Sequence, residues 1–154
     1  MPRLPQGATS FQEYDPADAR GWTNALATVP LFANLSRRHL KKVAATGRLV
    51  RFHDGSAIVR VGEPGDALFV VLDGEVSVQR PGLSGLSLGL GSFFGELAVL
   101  DDGPRTASVI AVGEVVCLTI NQARFLKLLR DEPTIAVVVL KEVAARLRAV
   151  QSTA

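Results

Sequence analysis

The sequence is poor in the residues that most often carry catalysis or cross-links. It has one cysteine, Cys117, and two histidines, His39 and His53, among 154 residues. One cysteine cannot form an internal disulfide, and its apolar surroundings in EVVCLTI indicate a buried structural thiol in a reducing cytoplasm. Two separate histidines do not form a metal cluster, and no Ser-His-Asp set accompanies a supporting motif. We therefore do not expect an enzyme, a metal or a cofactor.

Long apolar runs and a strong charge imbalance are also missing. The run from Ile135 to Leu140 is far too short to cross a bilayer, and the N-terminus MPRLPQGATSF lacks the apolar core of a secretory signal. The net charge is only +2, which does not by itself indicate a nucleic-acid partner. We expect a cytoplasmic protein without a membrane partner, and we do not expect it to bind nucleic acid.

Length and composition indicate one folded domain, because 47% of the residues are hydrophobic and 21% are charged. Residues 1–14 carry three Pro or Gly residues among polar ones and predict a flexible N-terminal arm. Asp15 and Pro16 form a helix-start signal, so we expect a single domain over 15–154.

The chain changes its texture twice. Ser36 and Gly47 are placed to cap and end a helix, and after Arg48 short apolar runs alternate with Gly or Pro turns as far as Ile120. We predict strands near 49–52, 57–60, 67–72, 75–79, 87–90, 107–112 and 114–118, with a tight hairpin at Asp73 and Gly74. The pattern predicts a mainly β fold between N-terminal and C-terminal helices.

The C-terminal region returns to a helical period. Asn121 is placed to cap one helix, and Pro133 opens another that runs toward Val150. The last helix carries a broad apolar face formed by Ile135, Ala136, Val139, Leu140, Val143, Ala144 and Leu147. Such a face can close a pocket, pair with a second copy of the chain, or do both.

The stretch FFGELAVLDDGPRTAS, from Phe93 to Ser108, is the candidate anion-binding segment of the sequence. Gly95 removes steric bulk as the chain leaves a strand, and the free amides of a short turn over residues 96–100 can point at an anion. Arg105 supplies a planar charge that can grip two phosphate oxygens, with the Thr106 hydroxyl beside it. Glu96 suits an anion site only if it accepts a hydrogen bond from a neutral hydroxyl such as a ribose 2'-hydroxyl. The alternative is a surface turn with an exposed Glu96–Arg105 ion pair worth about 0–1 kcal/mol.

The same stretch resembles the phosphate-binding cassette of the cyclic nucleotide-binding domain family, whose sensor modules occur in the catabolite activator protein, protein kinase A regulatory subunits and nucleotide-gated channels. The match consists of Phe94, Gly95, Glu96, Leu97, Ala98, Arg105, Thr106 and Ala107. The upstream segment VGEPGDALFVVLDGEVSV resembles the glycine-marked hairpins of these modules. Ser92 departs from the pattern, because acidic residues are frequent at its position in the family.

The resemblance implies a jelly-roll β-barrel, a double-stranded β-helix, whose C-terminal helices close a pocket for cAMP or cGMP, with cAMP favoured slightly. It implies that Glu96 binds the ribose 2'-hydroxyl and Arg105 the cyclic phosphate, while Thr106 contacts phosphate or base. Further ligand contacts are implied for Gly95, Leu97, Ala98 and Ala107. From the last helix, Arg146 or Arg148 can stack on the base. The chain would be a stand-alone sensor that moves its C-terminal helix or an interface.

Partners other than the nucleotide stay open at this point. An unidentified effector protein and a homodimer through the C-terminal helix both fit a sensor. The alternative functions are a DNA-associated regulator that uses the basic residues near 37–42, and a nucleotide-binding subunit of a larger effector complex.

Overall fold

In a computed structural model of the chain, the described residues are 11–13, 23, 26–82, 85–89, 91–95 and 104–152. The strands are β1 (Phe11–Glu13), β2 (Arg48–Phe52), β3 (Ala57–Val59), β4 (Ala67–Gln79), β5 (Leu86–Leu88), β6 (Phe93–Phe94) and β7 (Ser108–Asn121). The helices are a 3-10 helix (Pro30–Phe32), α1 (Arg37–Thr46), α2 (Gln122–Asp131) and α3 (Pro133–Ser152).

The strands form one antiparallel sheet in the order β1-β2-β7-β4-β5. In addition, β3 pairs with β7 and β6 pairs with β4, so the two long strands β4 and β7 organise the whole sheet. Within the described ranges the pairings follow an open path and do not close into a ring. The expected fold class, mainly β with flanking helices, is confirmed.

The predicted hairpin at Asp73 and Gly74 is wrong. Both residues lie inside β4, which stays paired with β7 from Ala67 to Gln79 and shifts register on either side of Asp73. Gly74 has a φ of 94°, and a Cβ there would overlap the carbonyl oxygen of Glu114 in the facing strand. The positive φ therefore serves a bulge where two long strands bend together, instead of a chain reversal.

The apolar run at the start of β4 is buried on both of its faces. Leu68 and Val70 pack with the helices in one cluster, which we call the helical cluster. Ala67 and Phe69 pack in a second cluster on the other face of the sheet, which we call the inner cluster. Because successive side chains of a strand point to opposite faces, an uninterrupted apolar run is what a strand with two covered faces requires. The inner cluster also contains Phe94, so the first residue of the cassette match packs in it.

The helix-capping predictions at Ser36 and Asn121 are confirmed. The Ser36 side chain accepts a hydrogen bond from the His39 amide, and the Asn121 side chain accepts one from the Arg124 amide at 2.8 Å. On the last helix, Ile135 and Val139 are buried and Val143 packs against the helical cluster, as the apolar pattern predicts.

Glu132, at the junction of α2 and α3, joins these helices to α1. Its carboxylate accepts a short hydrogen bond from Lys42 and lies 3.2 Å from His39 Nε2 and 3.6 Å from Arg38 Nη2. The hydrogen bond from Lys42, together with the charge of the neighbouring basic groups, holds the pKa of Glu132 below its usual range. Two of the four basic residues of the 37–42 cluster therefore face a carboxylate inside the molecule.

The N-terminal predictions are only partly accessible. Phe11–Glu13, in the segment predicted as an arm, form β1 and pair with β2, whereas the helix start at Asp15 and Pro16 lies outside the described residues. Cys117 is fully buried, and burial raises the pKa of its thiol, so it is structural as expected. No described helix is long and apolar enough to cross a membrane.

Candidate functional site

Arg105 is held by the loop between β3 and β4. Its amide donates to the carbonyl of Glu63, and its own carbonyl accepts from the amide of Gly62, both at 2.8 Å. An isolated antiparallel bridge between Pro64 and Pro104 extends the contact. The VGEPGD segment, which the sequence marked only as a turn-rich feature, therefore fixes the backbone of the cassette arginine.

The guanidinium of Arg105 points into the molecule, since the residue is only 5% exposed. Its Nη2 donates to the carbonyl of Ala67 at 2.9 Å, and its Nη1 donates to the carbonyl of Gly95 at 3.3 Å. The carbon at the centre of the group lies 5.6 Å from the centroid of the Phe69 ring. Arg105 is thus not an exposed residue of a surface turn, whereas Glu96, its partner in the alternative ion pair, lies outside the described residues.

Gly95 lies directly against this guanidinium. Its φ of 88° is in the left-handed region that side chains other than glycine rarely adopt. A Cβ at this position would overlap Arg105 Nη1 and lie 2.8 Å from the carbonyl oxygen of Ala67. The structure therefore brings together the two residues, ten positions apart, that the sequence assigned to one anion site.

The other predicted site residues divide into two groups. Thr106 is exposed beside Arg105, while Ala107 is buried in the inner cluster and faces the core. Glu96, Leu97 and Ala98 lie outside the described residues.

Three contributions to the site had no signal in the cassette motif itself. Phe69 provides an aromatic face, Ala67 provides a carbonyl, and Glu63 pairs with the Arg105 backbone. One carboxylate oxygen of Glu63, Oε2, is buried and has no hydrogen-bond partner among the residues that the structure describes. All three residues reach Arg105 through strand or loop pairing across more than 35 positions of the sequence. Hydrophobic periodicity does not predict such long-range pairing.

The last helix contacts the strand that leads into Gly95. The Arg146 guanidinium lies 3.6 Å from the centroid of the Phe93 ring and donates from Nη2 to the Phe93 carbonyl at 3.1 Å. Its Nε is 3.7 Å from a carboxylate oxygen of Glu142. Arg146, one of the two arginines for which the resemblance implies base stacking, holds α3 on β6 in this structure, two residues before Gly95.

The chemistry available at the cassette is anion binding. A buried guanidinium is permanently charged and presents a planar fork that matches two phosphate oxygens. Glycine beside it allows the backbone to come close to a ligand. In the part of the chain that the structure describes, no three His, Cys, Asp or Glu residues come together as a metal site, and His39 and His53 each lie near a glutamate instead.

Comparison with known proteins gives a consistent set of relatives. The family model for the cyclic nucleotide-binding domain matches residues 49–132. A cyclic nucleotide-gated potassium channel of Mesorhizobium japonicum is 38% identical over 147 residues, which are 94% of this chain and 41% of the channel. A cAMP-dependent protein kinase regulatory subunit of Hypocrea atroviridis is 34% identical over 113 residues, 73% of this chain and 24% of that protein.

The fold has a solved counterpart. The catabolite activator protein of Thermus thermophilus superposes with a TM-score of 0.75 at 30% identity, covering 80% of this chain and 61% of that one. The chain spans less than half the length of both curated relatives. The family match covers more than half of the chain and includes Gly95 and Arg105. The chain belongs to the cyclic nucleotide-binding domain family.

Proposed function

We propose that this chain is a sensor module that binds a cyclic nucleotide at the cassette, cAMP slightly better than cGMP, and that catalyses no reaction. The observation that carries the proposal is the buried Arg105 guanidinium held against Gly95. A permanent charge is expensive to bury, and a fold that keeps one at a glycine turn has a ready site for an anion. Relatives named for cyclic nucleotides support the choice of ligand.

The proposed contacts follow the cassette. Arg105 binds the cyclic phosphate, Glu96 accepts the ribose 2'-hydroxyl, and Thr106, exposed beside Arg105, contacts phosphate or base. Gly95, Leu97, Ala98 and Ala107 contribute backbone amides, with Leu97 also lining the pocket. No cofactor beyond the nucleotide is needed. We place the module in the cytoplasm as a single domain over 15–154, and the segment before it adds β1 at the edge of the sheet.

Calorimetric titration tests the proposal directly. The protein is titrated with cAMP and cGMP, and 5'-AMP serves as the matched ligand because it has the same base and sugar without the cyclic diester. We expect saturable 1:1 binding of both cyclic nucleotides, tighter for cAMP, and at least about ten-fold weaker binding of 5'-AMP, a difference of about 1.4 kcal/mol. Equal affinity for 5'-AMP and cAMP, or no heat with either cyclic nucleotide, would reject it.

The output of the sensor is proposed to be a movement of α3. This helix is tied by Arg146 to Phe93, next to the cassette, and by Glu132 to α1. A ligand shifts such a helix only by binding its two positions with different affinity. The contact between Arg146 and Phe93 lies where a rearrangement of the cassette reaches α3 first.

Replacing Arg146 with alanine therefore tests the route of the signal. We expect amide hydrogen exchange in α3 to become about ten-fold faster without nucleotide, because a cation–π contact and a hydrogen bond together contribute on the order of 1–2 kcal/mol. We also expect the further change on adding cAMP to shrink. Lys141→Ala, an exposed residue of the same helix, is the control and should behave as wild type. Unchanged exchange in Arg146→Ala would remove this contact from the mechanism.

A homodimer through α3 is the proposed interface. Four exposed residues of α3 follow the 3-4-3 spacing of a coiled-coil seam: Val137, Leu140, Ala144 and Leu147. Val137 is 49% exposed, Leu140 67% and Leu147 58%. We expect sedimentation velocity to show concentration-dependent association that Leu140→Glu abolishes and Lys141→Glu, on the neighbouring exposed position, retains. A wild-type chain that stays monomeric at high concentration would refute the interface.

The structure supports a DNA-associated role for the basic cluster near 37–42 less well than the sequence alone does. Lys42 and Arg38 are directed at Glu132, which leaves Arg37 and Lys41 as the exposed cations of the cluster that have no such contact. The larger-complex alternative agrees better with the relatives, because they extend well beyond the matched region. An effector protein of unidentified kind is therefore the proposed partner.

A further inference from the structure

Three aromatic rings, those of Phe69, Phe94 and Phe52, pack together next to Arg105, and we call them the aromatic column. The guanidinium carbon lies 5.6 Å from the centroid of the Phe69 ring, which is fully buried. Phe69 is stacked on Phe94 with a centroid separation of 4.9 Å and an interplanar angle of 9°, and Phe52 meets Phe69 edge-on at 6.3 Å. A cation within about 6 Å of an aromatic face is attracted by the negative charge of that face.

The column and the hydrogen bonds of Arg105 close a ring of contacts. Arg105 donates to the Gly95 carbonyl, Gly95 follows Phe94 in the chain, Phe94 stacks on Phe69, and Phe69 faces Arg105. Phe69 and Phe94 are also directly paired residues of β4 and β6. The same closed set of contacts therefore fixes the orientation of the guanidinium and the position of the glycine turn.

We propose that Phe69 is a positioning residue of the nucleotide site: it does not touch the ligand, and it holds the Arg105 guanidinium in the plane in which the cyclic phosphate meets it. This inference rests on the proposed cyclic-nucleotide binding. If the arginine samples other rotamers, the apparent dissociation constant equals the intrinsic one divided by the fraction of time spent in the competent rotamer. Phe69 keeps that fraction high before the ligand arrives.

The experiment changes the charge distribution of the ring and leaves its shape almost intact. Phe69 is replaced by 3,4,5-trifluorophenylalanine in the full chain, and the same replacement at Phe125, a buried ring of the helical cluster, is the matched control. Fluorine withdraws electrons from the ring face, so the attraction for the guanidinium is lost. We expect the dissociation constant for cAMP to rise about three- to ten-fold at position 69 and to change less than about two-fold at position 125.

A second measurement separates positioning from packing. The free energies of unfolding of Phe69→Leu, Arg105→Lys and the double variant form a mutant cycle that needs no ligand. A non-additive cycle together with the weaker binding of the fluorinated protein supports the proposal. An additive cycle, or a fluorinated protein that binds cAMP as wild type does, overturns it. If the wild-type protein binds no cyclic nucleotide, the proposed function fails, and the cycle still reports whether the ring and the guanidinium interact.

Discussion

Replacing Arg105 with alanine is expected to weaken cAMP binding at least about 100-fold, because a bidentate, charge-assisted contact to the phosphate is lost. The variant should still unfold cooperatively. The buried carbonyl of Ala67 and the partly buried carbonyl of Gly95 lose a donor, and a buried carbonyl left unsatisfied costs about 1–3 kcal/mol. The measurement is calorimetric titration together with urea unfolding of the same preparation.

Two further variants sharpen this prediction. Arg105→Lys keeps the charge and loses the planar fork, so its affinity should fall between those of wild type and Arg105→Ala. Arg124→Ala removes an exposed arginine of α2 and should bind as wild type. If Arg105→Ala keeps wild-type affinity while folded, the role assigned to this arginine is incorrect.

The second large effect is expected for Gly95→Ala. The new Cβ would overlap Arg105 Nη1 and crowd the Ala67 carbonyl, in addition to the strain of a φ of 88°. We expect a loss of stability of about 1–3 kcal/mol from the backbone strain alone, and a loss of cAMP binding because the guanidinium must move.

Gly55→Ala is the matched control for this effect. Gly55 has a φ of 80°, and a Cβ there would meet no atom within 4 Å. It should lose stability through strain alone and keep wild-type affinity for cAMP. Equal loss of binding in both variants would mean that the effect at Gly95 is general destabilisation and not displacement of Arg105.

Much of the local structure could be predicted from the sequence because its determinants are local. Ser36 and Asn121 cap helices where the pattern placed them, and the apolar residues of α3 nearest Pro133 face the core. The Asp73–Gly74 pair shows the limit of such rules. A glycine with positive φ fits a hairpin and a bulge equally well, and only the facing strand β7 decides between them.

The candidate site shows the same division. Gly95 and Arg105 could be paired from the motif, because the cassette is contiguous in sequence. Phe69 and the carbonyl of Ala67 could not, since they reach Arg105 through the pairing of β4 with β6 and through the loop at Glu63. The exposed half of the α3 face was equally hidden, because periodicity does not reveal where the core ends.

The most direct test of the account is a crystal structure of the protein with cAMP. We expect the cyclic phosphate to lie within hydrogen-bond distance of the Arg105 guanidinium and of the amide at the glycine turn, with the ribose 2'-hydroxyl on Glu96. A nucleotide bound elsewhere, or an Arg105 that makes no contact with the phosphate, would contradict it.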